Sequence, residues 1–265
     1  MSSDIDSAVG GGKPFSIGSV IGETFSLYGG NFLKFSLIGI LIYLPILVIL
    51  ALTLGVEAVT GAGMFDFETG TPDPGAVAAM AGGLGLTMVL TLVAFALGSG
   101  AITYGAIESK SGQQVSVGGM LGRAFVRMVP LIGASLLVFV LVFLGFMLFV
   151  IPGIILSLMM AVVWPVVLAE NIGPVEAMRR SRELTKGHKW GIFGAYIVVG
   201  ILSSLIQSVF LVIIFFGGAT GAILGDLIGS AVSLSLSSTF MASLYTNLRE
   251  SKEGVSIEQM AAVFE

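Results

Sequence analysis

The sequence predicts an all-α, polytopic membrane protein: six transmembrane helices in three hairpins, each preceded by a cytosolic amphipathic interfacial helix. Three observations predict it. The 265 residues are 55% hydrophobic and 11% charged, with a mean hydropathy of +1.03, where a soluble domain carries roughly 25% charged residues. Several apolar runs reach the ~20 residues that cross a bilayer. The twelve Lys and Arg all fall on one side of a six-span arrangement.

The elements follow in order. Residues 1–14 are polar, acidic and Gly/Ser-rich. They have no basic stretch leading into an apolar one, so the expectation is a disordered cytosolic tail and no cleavable signal peptide. Phe35 to Val56 is free of charge and predicts a first span over 32–55. The loop from Glu57 to Asp73 carries only acids, Glu57, Asp66, Glu68 and Asp73. Pro74 to Ile107 is again uncharged, for a second span over 82–108. Met128 to Ala169 is uncharged as well. As one helix it would run about 60 Å against a hydrocarbon core of about 30 Å. "VIPG" at Val150 to Gly153 breaks it into spans 129–150 and 153–170. From Trp190 to Leu248 the one charge is Asp226, and "FFGGAT" (Phe215 to Thr220) marks a turn, which gives spans 190–215 and 221–247. Pro45 and Pro165 predict kinks in the first and fourth spans. Residues 251–265 are read as a second cytosolic tail.

The cations set the orientation. Lys13, Lys34, Lys110, Arg123, Arg127, Arg179, Arg180, Arg182, Lys186, Lys189, Arg249 and Lys252 share one side, which the positive-inside rule makes cytosolic, with both termini. Tyr28, Tyr104, Trp190 and Tyr245 fall near the same ends, as an aromatic belt would.

The membrane domain, 15–250, reads as three units of about 15–110, 115–170 and 173–250. "FSIGSVIGETF" (Phe15 to Phe25) and "VSVGGMLGRAF" (Val115 to Phe125) repeat Ser, Gly, Gly and Phe in register, at Ser16/Ser116, Gly18/Gly118, Gly22/Gly122 and Phe25/Phe125. Their apolar residues recur at spacings of three and four, one face of a helix. Before the third hairpin, Ala177, Ser181 and Leu184 echo the pattern weakly. Parallel units of this kind are related by an axis along the membrane normal.

"AENIGPVEAMRRSRELTKGHKWGIFG" (Ala169 to Gly194), "FSIGSVIGETFSLYGGNFLKF" near the start and "YTNLRE" near the end resemble a bacterial six-helix integral membrane family. It is named for the membrane domain of glycerophosphoryl diester phosphodiesterases. The resemblance covers most of the chain and implies a six-helix fold in a bacterial inner membrane. The activity in the family's name belongs to fused members with a soluble barrel of paired histidines and a carboxylate-held metal. This chain has one histidine, no cysteine and scattered acids, so no phosphodiesterase activity is expected.

Candidate sites are few. No nucleophile, base and metal cluster is legible, so no catalytic residue, metal or cofactor is expected. His188, alone among cations, is expected at the interface rather than on a metal. Arg179, Arg182, Lys186 and Lys189 step by three, four and three along a helix starting near Pro174. That predicts one basic face against the anionic headgroups of the cytosolic leaflet. A nucleic-acid role is not expected, since these cations lie against the bilayer. Gly221, Gly225, Gly229, Ser233 and Ser237 recur every four residues and predict a helix-packing stripe. Its mate is another span, a membrane-protein partner or a second copy in a homo-oligomer. Gln207 and Asp226 are the intramembrane polar groups, with Asn31 and Lys34 at an edge. The leading expectation is a non-enzymatic, lipid-interacting structural or accessory protein. A small-molecule or lipid transporter comes second and a lipid-modifying enzyme third.

Overall fold

The computed structural model describes residues 15–55, 65–66, 71–72 and 74–254. The expected tails, 1–14 and most of 251–265, and the acids Glu57, Glu68 and Asp73 lie outside the described residues.

The described chain is almost wholly helical: α1 (Ile17–Leu54), α2 (Pro74–Lys110), α3 (Val117–Val126), α4 (Met128–Leu148), α5 (Val150–Met159), α6 (Val163–Ala169), α7 (Pro174–Thr185), α8 (Lys189–Phe216) and α9 (Gly218–Glu253). A minimal antiparallel pairing of β1 (Phe65–Asp66) with β2 (Thr71–Pro72) lies between α1 and α2. Six segments are long and apolar enough to cross a membrane, with α5 and α6 together forming the fourth.

α9 is the central helix. It packs on α1, α2 and α8, and most of its length is buried, whereas α8 faces outward along nearly all of its apolar stretch. Composition accounts for the contrast. α9 is rich in Gly, Ala, Ser and Thr, which let backbones approach, while α8 is rich in Ile, Val, Leu and Phe, which suit lipid. The backbones of α1 and α9 come close at Gly39: a Cβ there would lie 2.7 Å from the Cα of Ala231.

The breaks differ from expectation in three places. The third and fourth spans part at Phe149, not at Pro152–Gly153, because a proline in a first helical turn loses no hydrogen bond. Gly153 lies inside α5, where a Cβ would strike the Phe146 ring at 2.4 Å. In α1 the non-helical residue is Asn31 (φ −126°, ψ 17°), not Pro45. The Asn31 amide donates to the Leu27 carbonyl (3.2 Å) and to the Ser109 hydroxyl on α2 (2.8 Å). In the fourth span the predicted kink is a full interruption at Met160–Val162. Pro165 has no N–H for the Ala161 carbonyl four residues back, and its ring crowds it. Ser181 of α7 serves the opening: it donates to Met159 O (2.8 Å) and accepts from Val162 N–H (3.3 Å).

Candidate functional site at the basic end of the bundle

The residues expected to open the three units are found at the starts of helices. Ser16, Ser116 and Gly173 are the N-caps of α1, α3 and α7, all in extended conformation. Ser116 accepts from the Gly119 N–H at 3.1 Å, and Pro174 occupies the first turn of α7, where its missing N–H costs nothing. Four residues on, Val20, Met120 and Ala177 are buried; eight residues on, Thr24, Ala124 and Ser181 are buried too. The three segments thus bury the same face in the same register, although the third shares little sequence with the others.

Seven residues after each cap stands a half-buried charged side chain: Glu23, Arg123 and Arg180. Each reaches the end of the span that closes its own segment. Glu23 pairs with Lys110 at 2.7 Å. Arg123 donates to the Asn171 side-chain oxygen at 3.0 Å. Arg180 pairs with Glu253 at the end of α9 and with Glu170 at 3.0 Å.

These contacts spread into two networks. Around Glu23, Thr246 and Asn247 donate to the carboxylate (3.1 and 2.9 Å), and Lys110 also meets Glu250 at 3.5 Å. Around Arg180, the Tyr245 hydroxyl donates to Glu170 (3.2 Å) and accepts from Arg249 (3.1 Å), which pairs with Glu253 at 3.0 Å. Burial disfavours the charge on Arg180, but the Glu253 and Glu170 carboxylates outweigh it, and its pKa stands above the usual value. Both networks end on "YTNLRE" of α9, so one end of the bundle is cross-linked through its central helix.

Two of the four aromatic-belt residues turn inward. Tyr245 and Tyr28 are buried, whereas Trp190 is 86% exposed. Tyr245 can be buried because its hydroxyl has charged partners. His188 stacks at 5.0 Å on Phe15. Burial, then the nearby Lys252, pushes its pKa down.

The predicted basic face is split. α7 ends at Thr185, and Gly187 (φ 90°) reverses the chain, a conformation that favours glycine. Arg179 and Arg182 are exposed on α7, Lys186 is exposed in the turn, and Lys189 is half-buried as the first residue of α8. Sequence spacing joined them because it assumed one unbroken helix. Arg180, outside that set, makes the ion pairs.

The packing stripe is covered within the chain at its midpoint. Gly221, Gly225 and Gly229 are buried, with Ser233 and Ser237 half-buried. A Cβ on Gly229 would meet Gln207 Oε1 of α8 at 2.6 Å and Phe210 at 3.4 Å, so two residues predicted independently lie together. Asp226 is exposed and faces Ser230 one turn on.

Sequence reasoning missed a cavity of about 520 Å³ beside the interruption of the fourth span. Met160, Ala161, Trp164, Tyr43, Thr91 and Tyr196 are among its lining residues. Trp164 Nε1 donates to Ser135, which also lines it, at 2.8 Å. Asp226 does not line it. Among the described residues, no group of three His, Cys, Asp or Glu comes together to hold a metal. No family model, curated protein or solved structure matches the chain.

Proposed function

We propose that the chain is a non-enzymatic, lipid-interacting accessory protein of a bacterial inner membrane. In this reading the basic end faces the cytosol with both termini. One observation carries it: at that end, exposed cations alternate with exposed large apolar side chains. Arg179, Arg182 and Lys186 stand beside Val175 and Trp190, all exposed. Such a surface seats apolar groups among acyl chains while its cations meet phosphates, each cation contributing on the order of 1 kcal/mol near an anionic leaflet. The segments led by α1, α3 and α7 are read as three copies of one unit, each a surface helix and a hairpin. Their shared burial register and the matching placement of Glu23, Arg123 and Arg180 support this. The partner is membrane lipid. A protein partner or a second copy would use the outward faces of α4 and α8.

The test is native mass spectrometry of the protein extracted in mild detergent. Wild type should carry anionic phospholipid, and reversing the charge of Arg179, Arg182 and Lys186 together should strip most of it. The same lipid load on both proteins would refute a headgroup role for this surface.

A second reading, transport of a small apolar molecule or lipid, is favoured by the cavity at the interrupted fourth span, since broken helices often frame membrane binding sites. Flipping of a fluorescent lipid across liposomes that contain the protein, absent from empty ones, would decide for it.

A further inference from the structure

The second unit differs from the other two. In the first, Glu23 is neutralised by Lys110; in the third, Arg180 is neutralised by Glu170 and Glu253. Arg123 donates to the Asn171 side-chain oxygen and lies 5.8 Å from the centre of the Tyr104 ring, whose hydroxyl donates to the Glu108 carboxylate. Four residues further, where the first and third units carry Leu27 and Leu184, the second carries Arg127. A second cation therefore stands next to the first.

Arg127 is poorly served by the protein. It caps α3 and starts α4, and it is half-buried. One Nη2 hydrogen bond runs to the Val167 carbonyl at a long 3.4 Å. Its Nε is buried and has no hydrogen-bond partner, and no carboxylate among the described residues lies within ion-pair distance. Burial and the neighbouring Arg123 push its pKa down. A buried Nε–H without a partner gains from an acceptor that reaches it.

The location says which anion. Phe125, Val126 and Val129 flank the pair and are largely exposed, Val126 to 77%. The cations thus open on an apolar rim at the level where the membrane-entry helices end. A freely dissolved anion gains nothing from that rim; an amphiphile with a phosphate at its head gains from both parts. Guanidinium groups suit phosphate through paired N–H donors, and two of them match a group with several acceptor oxygens.

We infer that Arg127, with Arg123, holds the phosphate of a phospholipid headgroup at the lipid-facing junction of α3 and α4. The site rests on the lipid-interacting reading but uses a different face from Arg179, Arg182 and Lys186. It takes one lipid in a defined place, where that face gathers several loosely.

The full chain is placed in nanodiscs of phosphatidylcholine with a minority of phosphatidylglycerol, and lipids retained on release are counted by native mass spectrometry. The variant is Arg127→Leu, which restores the residue type of the other two units and should fold; its melting temperature checks this. Arg123→Gln serves as the second variant should the first fail to fold. Wild type should retain one phosphatidylglycerol that survives charge reversal of Arg179, Arg182 and Lys186. Arg127→Leu should reduce its retention about tenfold, and Arg127→Lys should restore part of it. Equal retention by wild type and folded Arg127→Leu overturns the proposal. So does displacement of the lipid by millimolar inorganic phosphate, which would make this a site for free phosphate. Loss of loosely held lipid on charge reversal, with the single lipid kept, supports both readings. The single lipid alone responding to substitution supports this site and removes the broader face.

Discussion

The basic end of the bundle and its middle are built from the same helices in opposite ways. At the basic end, α1, α2, α7 and α9 are tied by ion pairs, Glu23–Lys110–Glu250 and Glu170–Arg180–Glu253–Arg249. Beside the interrupted fourth span a cavity with mostly apolar walls remains, lined by Trp164 and Ser135, which are hydrogen-bonded to each other. The difference follows from the solvent. In hydrocarbon, apolar side chains gain little by meeting one another, so helices are located by small-residue contacts and polar links. Polar links are affordable where water and headgroups reach. The basic end therefore fixes the register of the bundle, and the middle is free to stay open.

The harshest way to break this comparison is to separate α1 from α9, which run through both regions. Gly39→Leu drives a large side chain into the Ala231 backbone and should cost about 3 kcal/mol or more. Unfolding by denaturing detergent, followed by circular dichroism, would show it; an unchanged midpoint would mean the two helices are not in close contact. Next comes Arg180→Ala, which leaves Glu170 with the Tyr245 hydroxyl and Glu253 with Arg249 alone. With the pair partly exposed, about 2 kcal/mol is expected, and Arg180→Lys should recover some of it. Thermal melts of both variants test this, and equal melting temperatures would deny the network its role. Gly229→Leu should cost about 1–2 kcal/mol, because Gln207 can swing aside more easily than a backbone can. It should leave the oligomeric state in size-exclusion chromatography unchanged if the mate is α8 rather than a second copy. In the cavity, Trp164→Phe removes a single hydrogen bond and should cost about 1 kcal/mol. A loss as large as that of Arg180→Ala would mean the middle is as tightly held as the end. Smallest of all is Asp226→Asn, expected within about 0.5 kcal/mol for a side chain at the bundle surface.

Much of the fold was legible because its cause is local. Span count follows from uninterrupted apolar runs, and the break near Pro165 from a missing N–H. The like burial register of the segments that begin α1 and α3 follows from a matched stripe of residues. What escaped depends on pairings that no periodicity encodes. Asn31 bends α1 by bonding Ser109, 78 residues away, and nothing in the sequence favours it over Pro45 as the place to bend. Gly229 was read from its spacing, yet the contact between the backbones of α1 and α9 falls on Gly39, an unremarkable glycine until Ala231 is set against it. At the basic end, spacing selected Arg179, Arg182, Lys186 and Lys189. Which arginine turns inward was decided by carboxylates 10 and 73 residues distant. The third segment could hardly be matched by sequence, but its burial register matches, because burial depends on size and polarity more than on identity.

In the proposed function, an outer face at the basic end holds anionic lipid while the inner face holds the bundle. The direct measurement is the melting temperature in nanodiscs of phosphatidylcholine, with and without phosphatidylglycerol. Wild type should melt higher with the anionic lipid. That gain should shrink at high salt, which screens exposed charges, and fall by more than half when Arg179, Arg182 and Lys186 are reversed. A wild type that melts at one temperature in both membranes would contradict the account.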